Sequence, residues 1–457
     1  KSALTALTSG AGNTAVGYQA GLAITDGTYN TILGYQALIT DDQSDRSTAI
    51  GYKSLMNQNG GTGNSENTAV GYATGFENVT GTKNTWVGYQ AGIGGTGNNS
   101  KNVGVGANAL LSITTGEENI CIGNDAGDSI TTANQTVLIG GDAGQAITVT
   151  QGSNESDGTV AIGLNALKYC TTGHGNLAMG AYALHTHTTG SRNIAIGYGA
   201  MDDTDHHADV GGSEDNIFIG YDAGGGAWET NDSNQNIGIG NYALDAVMNN
   251  CVGTTAVGHN AGTAVASGGG NSFFGHTAGD SITNGSNCTF IGNNVDGSAS
   301  SATGQIAIGQ NTSCTGNSKV TIGYGANTAT LDLDGSDVDW AAASSDERLK
   351  ENITTSTAGL SFINDLRPIT YNWKKAGDIP EDMPQYEEGS SEPCLGHEYG
   401  TTLHGFIAQE VKEVIDSHSE IKDGFKMWKE YDNGVQTVAH GNVIPMLVKA
   451  VQELSAK

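Results

Sequence analysis

Asn13-Thr14-Ala15-Val16-Gly17-Tyr18-Gln19-Ala20-Gly21 sets the pattern for most of this chain. Its frame, Asn-x-[Ala/Val/Ile]-x-Gly, returns with glycine at 17, 34, 51, 71, 88, 106, 123, 140, 163, 180, 197, 220, 240, 258, 275, 292, 309 and 323. The interval is mostly 17 residues, and the longer intervals carry extra Gly, Asp, Asn and Ser, which read as loops bulging from a constant frame. Within one copy Ala15 and Gly17 face opposite to Val16, and Asn193-Ile194-Ala195-Ile196-Gly197 alternates in the same way. That is a strand period of two, not a helix period. A second short apolar segment follows, such as Leu22-Ala23-Ile24-Thr25, so each copy reads as two short strands and two turns.

One such copy buries too little apolar surface to stand alone, so the copies must stack and the β edges at either end must be covered. At ~4.8 Å per coil, eighteen copies would form a rod of roughly 85 Å. Recurrent asparagines (Asn13, Asn30, Asn67, Asn84, Asn119, Asn193) are placed to stack as an amide ladder.

The composition agrees. Among 457 residues there are 69 glycines, only 15% charged residues and 6% aromatics, which is no ordinary globular enzyme. Glycine does not fall at every third position, which excludes collagen, and the scheduled apolar residues argue against disorder. A formal charge of −29 makes nucleic acid an improbable partner, because phosphate binding needs a basic surface. The carboxylates are scattered through turns and not set at calcium-loop spacing. Six isolated cysteines form no C-x-x-C pair, and Cys121 occupies the slot of Ala15, as a small core residue in a reducing compartment would. No apolar run reaches transmembrane length and no signal peptide opens the chain, so membrane insertion is not expected. Lys1 is not an initiator Met and the repeat starts almost at once, so an N-terminal attachment region before it is expected.

The repeat resembles the head repeats of trimeric autotransporter adhesins and of phage tail fibres. The resemblance implies left-handed parallel β-rolls or interlaced triple β-helices built from three chains. Aligned on the first copy, His185 and His187 stand where Leu22 and Ile24 sit. On a strand, i and i+2 share a face, so three chains meeting at an axis could offer six imidazoles to one transition metal. The bland alternative is that the histidines face solvent, or bond one another and water. No cofactor is required on this reading. The insertions from Met201 to Asp215 and from Gly225 to Gln235 are the places to look for host contact, since loops on a rigid scaffold carry recognition. Tyr221 and Trp228 either stack on sugars there or close a corner.

Composition breaks at Ser344-Ser345-Asp346-Glu347-Arg348-Leu349-Lys350, and all five prolines lie downstream of it. Two regions follow: a repeat shaft over 1–340 and an α+β module over 341–457. In the module, Leu366 to Trp373 alternates like a strand, and Ile407, Val411, Val414 and Ile415 lie on one helical face. A last helix from about Asn442 to Leu454 carries the stripe Ile444, Leu447, Val448, Val451 and Leu454, with Pro445 tolerable in its first turn. So narrow a stripe suits packing between subunits as well as a private core.

Ser345-Asp346-x-Arg348-x-Lys350, Leu366-Arg367-Pro368 leading into Tyr371-x-Trp373, Gly405-Phe406-Ile407-Ala408-Gln409-Glu410-Val411 and the closing Leu447 to Leu454 resemble the endosialidase-type intramolecular chaperone. The resemblance implies a trimerising C-terminal domain of viral fibres and tailspikes. Such a domain guides folding of the upstream β-structure and then releases itself by autocleavage at the Ser-Asp junction, with the family's serine and lysine on Ser345 and Lys350. A Ser-Lys dyad needs a lysine kept neutral by burial or a neighbouring cation, which Arg348 could supply. Residues five apart fall on opposite strand faces, or about 140° apart on a helix, so the chain must bend there or the groups must meet across subunits. Attack by the Ser345 hydroxyl on the preceding carbonyl would cut Ser344-Ser345, whereas the family pattern points to Ser345-Asp346. Ser344-x-x-Glu347 can also be a capping box.

The expected protein is mostly β: a trimeric parallel β-solenoid or triple β-helix shaft, then a small α+β trimerisation and chaperone domain. Its expected role is structural and adhesive, in a viral tail fibre, that of a bacteriophage, assembled in the host cytoplasm and carried on the virion. Its partners would be two further copies, other tail proteins and a host-surface receptor or glycan. The only chemistry expected is a single-turnover Ser-Lys autoproteolysis, with no action on external substrates. Two alternatives stand: a bacterial surface adhesin head, which should end in a membrane-anchoring barrel, and a glycan-degrading tailspike, which needs paired carboxylates in a cleft.

Overall fold

The computed structural model describes residues 2–61, 63–148, 158–204, 212–228, 231–333, 341–342, 347, 350–381, 383, 385–394, 400, 402–422, 425–430 and 434–457. The chain divides into two compact units, Lys1–Ser345 and Asp346–Lys457.

The first unit is a parallel β-solenoid. Among the described residues, eighteen strands are joined by seventeen parallel pairings, each strand being one copy of the repeat. They run from Thr14–Val16 and Thr31–Leu33 to Thr289–Asp296, Ile306–Ser313 and Lys319–Tyr324. Register is strict: Thr14, Ala15 and Val16 lie opposite Thr31, Ile32 and Leu33. The middle residue of each strand points inward, and those from Ile32 to Ala307 are buried with the inner alanines, leucines and isoleucines of the turns. The core is thus closed within one chain. It is not shared about an axis between three, as an interlaced triple helix would require.

Two devices hold successive coils at one spacing. Each recurrent asparagine accepts the backbone N–H of its counterpart in the next coil, as in Asn30 N to Asn13 Oδ1 at 2.9 Å and Asn102 N to Asn84 Oδ1 at 2.9 Å. Its amide group donates in turn to a carbonyl fourteen residues on, as from Asn13 Nδ2 to Gly27 O at 2.7 Å. Buried amides are satisfied in this way at nearly every level, which favours one register over its neighbours. The predicted amide ladder is therefore present.

The second segment of each copy differs from expectation, because it is a run of turns. Residues two and four places after the frame glycine adopt left-handed backbone, as at Gln36 (φ 53°) and Leu38 (φ 48°) and again at Lys53 (φ 54°) and Leu55 (φ 48°). Two left-handed residues in three steps curl the chain and prevent extension. Alternation is lost as a result: Leu22 is half-buried and Ile24 fully buried, so these neighbours do not share a face. Among the described residues of the solenoid, the pairings outside the repeat strands are two-residue ones, Ser44–Asp45 with Gly63–Asn64 and Cys251–Val252 with Gly268–Gly269, and single parallel bridges such as Ser286 with Thr303. After the last coil, Lys319–Tyr324 pairs antiparallel with Asn327–Asp332, which takes up the final edge.

The second unit contains three α-helices among its described residues: α1 (Leu360–Asp365), α2 (Ala408–Ser417) and α3 (Ile444–Ser455). Ile369–Tyr371 pairs antiparallel with Leu403–Gly405, and Trp428–Glu430 with Gln436–Val438. Phe362, Leu366, Val411, Ile415, Met427 and Val443 form its core. Pro445 sits in the first turn of α3, where its missing N–H has no partner to lose.

Candidate self-cleavage junction and assembly surfaces

Ser344, Ser345, Asp346 and Arg348 lie outside the described residues. Of the proposed dyad only Lys350 is placed; it is exposed, and its backbone N–H donates to the Glu347 carbonyl at 3.0 Å. That i to i+3 bond departs from both an extended strand and a continuous α-helix, the two geometries in which Ser345 and Lys350 diverge.

Downstream of the junction, Glu453 of α3 accepts the N–H of Leu360 at 2.9 Å and so supplies the cap that α1 lacks from its own sequence. The contact is close because residue 359 is glycine: a Cβ there would lie 2.7 Å from Glu453 Oε1. At the other end of α1, His418 is buried against Phe362 and faces a carboxylate with each ring nitrogen, Asp365 Oδ2 at 2.9 Å from Nε2 and Glu420 Oε1 at 3.0 Å from Nδ1. A neutral imidazole has one N–H and can donate to only one of them, so the geometry calls for the imidazolium. Glu420 first and Asp365 second raise the His418 pKa above 6.5. Because the folded value lies above the unfolded one, this stabilisation is complete below about pH 6.5 and is lost as pH rises through the raised value. The melting temperature of the second unit is therefore expected to fall as pH rises above about 6.5. In His418→Gln the fall should flatten; an unchanged slope would remove His418 from this role.

The outer face of α3 is bare. Val443 and Ala450 turn into the domain, whereas Ile444, Leu447, Val448, Val451 and Leu454 are exposed, Ile444 and Val451 at 59% each. The private-core reading of this stripe therefore fails within one chain.

The solenoid carries a comparable face. The residue before the frame glycine points outward in every coil and is always Val, Ile, Leu, Met or Phe, from Val16 (58% exposed) and Leu33 (47%) to Phe274 and Ile322. The outward residue two places earlier is Thr, Ser, Val, Ile or Leu throughout. No charge interrupts either column. The residue after the glycine adds aromatic stacks, notably Tyr18, Tyr35, Tyr52, Tyr72 and Tyr89, with ring centroids 5.1–5.3 Å apart. Stacking occupies the ring faces and leaves edges for other contacts.

The histidine pair does not behave as predicted. His187 is buried in its own coil, with Nδ1 3.0 Å from Thr204 Oγ1 and Nε2 3.3 Å from Asn193 Nδ2. His185 stands outside, edge-on to Tyr169 and Tyr182. The shared face assumed for a strand is absent because this segment is a turn. Among the described residues, no group of three or more His, Cys, Asp or Glu is disposed to hold a metal. Trp228 is buried, donates from Nε1 to Gly224 O at 3.1 Å and packs on Phe218, so it closes a corner. Tyr221 lies on Tyr198, with centroids 5.5 Å apart. All five cysteines of the solenoid are buried free thiols, and burial pushes Cys170 up to about 12. No described helix is long and apolar enough to cross a membrane.

Sequence reading did not find the His418 clamp, whose partners lie 53 and 2 residues away. Nor did it single out the outward apolar column, although the unbroken run of apolar residues before each glycine was there to be seen.

Residues 345–419 match the family described as chaperone of endosialidase. The match begins at the junction serine and ends at Ser419, short of α3. No curated protein and no solved structure gives a significant match to the chain.

Proposed function

We propose that this chain is the subunit of a homotrimeric viral fibre, a bacteriophage tail fibre, whose solenoid is the structural and adhesive part. Its C-terminal unit brings three chains together and then separates from the solenoid by cleavage at the Ser345 junction. The observation that carries the reading is the join itself: a chaperone-type segment opens at Ser345, directly after a solenoid with one uncharged apolar face. Eighteen outward apolar side chains amount to on the order of 1,000 Å², the size class of a stable interface and more than a monomer usually leaves open. A chain of net charge −29 can approach a copy of itself only through such a face. Three copies related by a threefold axis close the contact without leaving an open filament.

In this proposal the Ser345 hydroxyl of one chain attacks the Ser345 carbonyl of a neighbouring chain, Lys350 takes the hydroxyl proton and passes it to the departing Asp346 amine, and water then hydrolyses the ester to free both serines, with Arg348 helping to keep the lysine neutral. Contact of Ser345 and Lys350 across subunits would make cleavage report that the trimer is complete. Other tail proteins and a host-surface receptor or glycan are the remaining partners.

The test is gel electrophoresis of the purified protein with and without boiling. Wild type should run unboiled as a trimer and boiled as two fragments, whereas Ser345→Ala and Lys350→Ala should each give one full-length band. Cleavage of Ser345→Ala as in wild type would remove that serine from the chemistry. A stable wild-type monomer would sink the trimer.

A further inference from the structure

The coils whose frame glycines are 17, 34, 51, 71 and 88 differ from the rest at the two positions that follow the glycine. The first is tyrosine in all of them, Tyr18, Tyr35, Tyr52, Tyr72 and Tyr89, whereas the coils directly after have Ala107, Asn124, Gly141, Leu164 and Ala181. The second is Gln19, Gln36, Lys53, Ala73 and Gln90, with no carboxylate, whereas Asp125, Asp142 and Asp222 hold it further on. In a chain of net charge −29 this is a neutral to weakly basic strip.

Geometry makes the strip a ladder. Successive tyrosine rings have centroids 5.1–5.3 Å apart and planes within 20° of parallel. These tyrosines are 40–52% exposed, and they lie in the turn past the end of each strand, not on the strand with the apolar column of Val16 and Leu33. Each ring face is covered by the next ring, so the ladder offers ring edges and one hydroxyl per coil, a donor and an acceptor. Beside it, Gln36 Nε2 donates to Gln19 Oε1 at 2.9 Å, and Lys53 Nζ stands 5.4 Å from the centre of the Tyr52 ring.

We propose that this tyrosine ladder is the docking site of a neutral, extended β-1,4-linked glycan that lies along the solenoid with one sugar per coil. Such a chain turns over at every linkage, so each edge of its ribbon carries a hydroxyl group on every sugar. Its advance per sugar is nearly the step between the tyrosine rungs. A contact made at one rung is therefore repeated at the next without drift, which a glycan that coils, such as a β-1,3-linked one, loses after a sugar or two. Stacking closes the ring faces, so hydroxyl and amide hydrogen bonds carry the recognition, and the net charge of the chain disfavours a polyanionic ligand. The inference rests on the adhesive part of the proposed function, to which it gives a ligand class.

Isothermal titration calorimetry of the full chain tests it, with hexamers of β-1,4-linked glucose and of β-1,4-linked N-acetylglucosamine as probes and a β-1,3-linked glucose hexamer as the comparison. At least one β-1,4 hexamer should bind, about tenfold or more tightly than its own dimer, because each further rung adds hydrogen bonds. Tyr52→Phe keeps the stack but removes the central hydroxyl, and should weaken binding several-fold. Tyr52→Ala should weaken it further, and Tyr324→Ala, 65% exposed and outside the ladder, should leave it unchanged. Binding of neither β-1,4 hexamer, equal binding of the β-1,3 hexamer, or a dimer as tight as the hexamer would overturn the site. So would a change of oligomeric state in Tyr52→Ala by light scattering, which would put the ladder between copies. Light scattering of wild type keeps the two readings apart: a monomer that binds in register retains the ladder and removes the trimer, and a trimer that binds neither hexamer does the reverse.

Discussion

Gly163→Ala is expected to abolish or cripple the solenoid. Residue 163 has φ +142°, and a Cβ there would lie 2.4 Å from the Gly180 carbonyl oxygen and 2.5 Å from its carbon. Neither obstacle is a side chain that can move aside, because the oxygen belongs to the backbone of the next coil. That coil is fixed by its own pairing, Leu177–Met179 with Ile194–Ile196. Relief requires the rungs to separate, which would break the hydrogen bond from Gly180 N to Ile162 O at 2.8 Å. Backbone strain of about 1–3 kcal/mol and overpacking of similar size together suggest a loss of roughly 3–5 kcal/mol, a large part of a domain's net stability. Gly253→Ala provides the comparison, since φ there is +68° but a Cβ would meet nothing within 4 Å. It should cost only about 1 kcal/mol. Circular dichroism melts of the two variants decide the matter: similar melting temperatures would show that close approach, as distinct from left-handed backbone, does not set the glycine column.

In the proposed trimer, Val451→Glu should abolish assembly while leaving the second unit folded. Val451 is 59% exposed in the single chain, and the domain core is built from other residues, so the substitution removes no packing within one copy. Ile444, Leu447, Val451 and Leu454 are spaced three, four and three apart, the seam spacing of helices that pack along their length. Three carboxylates brought together on that seam would lose water without gaining partners. A cost of roughly 3–5 kcal/mol per buried unpaired charge weakens association by at least a thousandfold. Light scattering should find a monomer where wild type is a trimer. Gln452→Glu, exposed beside the seam, should assemble normally. A trimeric Val451→Glu protein would take α3 out of the interface.

The parallel solenoid was legible in the residues because each coil repeats one environment. A strand of three residues between Asn and Gly reports burial directly through its alternation, and Ala15, Ile32 and Ala49 fall inside as that alternation requires. The turns were not legible in the same way. Their left-handed positions are occupied by Gln36, Leu38, Lys53 and Leu55, residue types that do not announce positive φ, and a strand reading of this segment put His185 and His187 on one face. The chaperone segment was recognisable from its motifs, but the chemistry assigned to Ser345, Asp346 and Arg348 falls outside the described residues.

What the sequence by itself determined is therefore the repeat, its strand, its inward and outward columns and the change of architecture at Ser345, since each depends on residues a few places apart. Only the tertiary structure decided that the core closes within one chain, that His187 lies inside and His185 outside, and that His418 bridges Asp365 and Glu420. Those relations join residues separated by a coil, or by fifty positions, across insertions of unequal length. The distance between such groups is set by how coils and helices pack, and no local spacing in the chain records it.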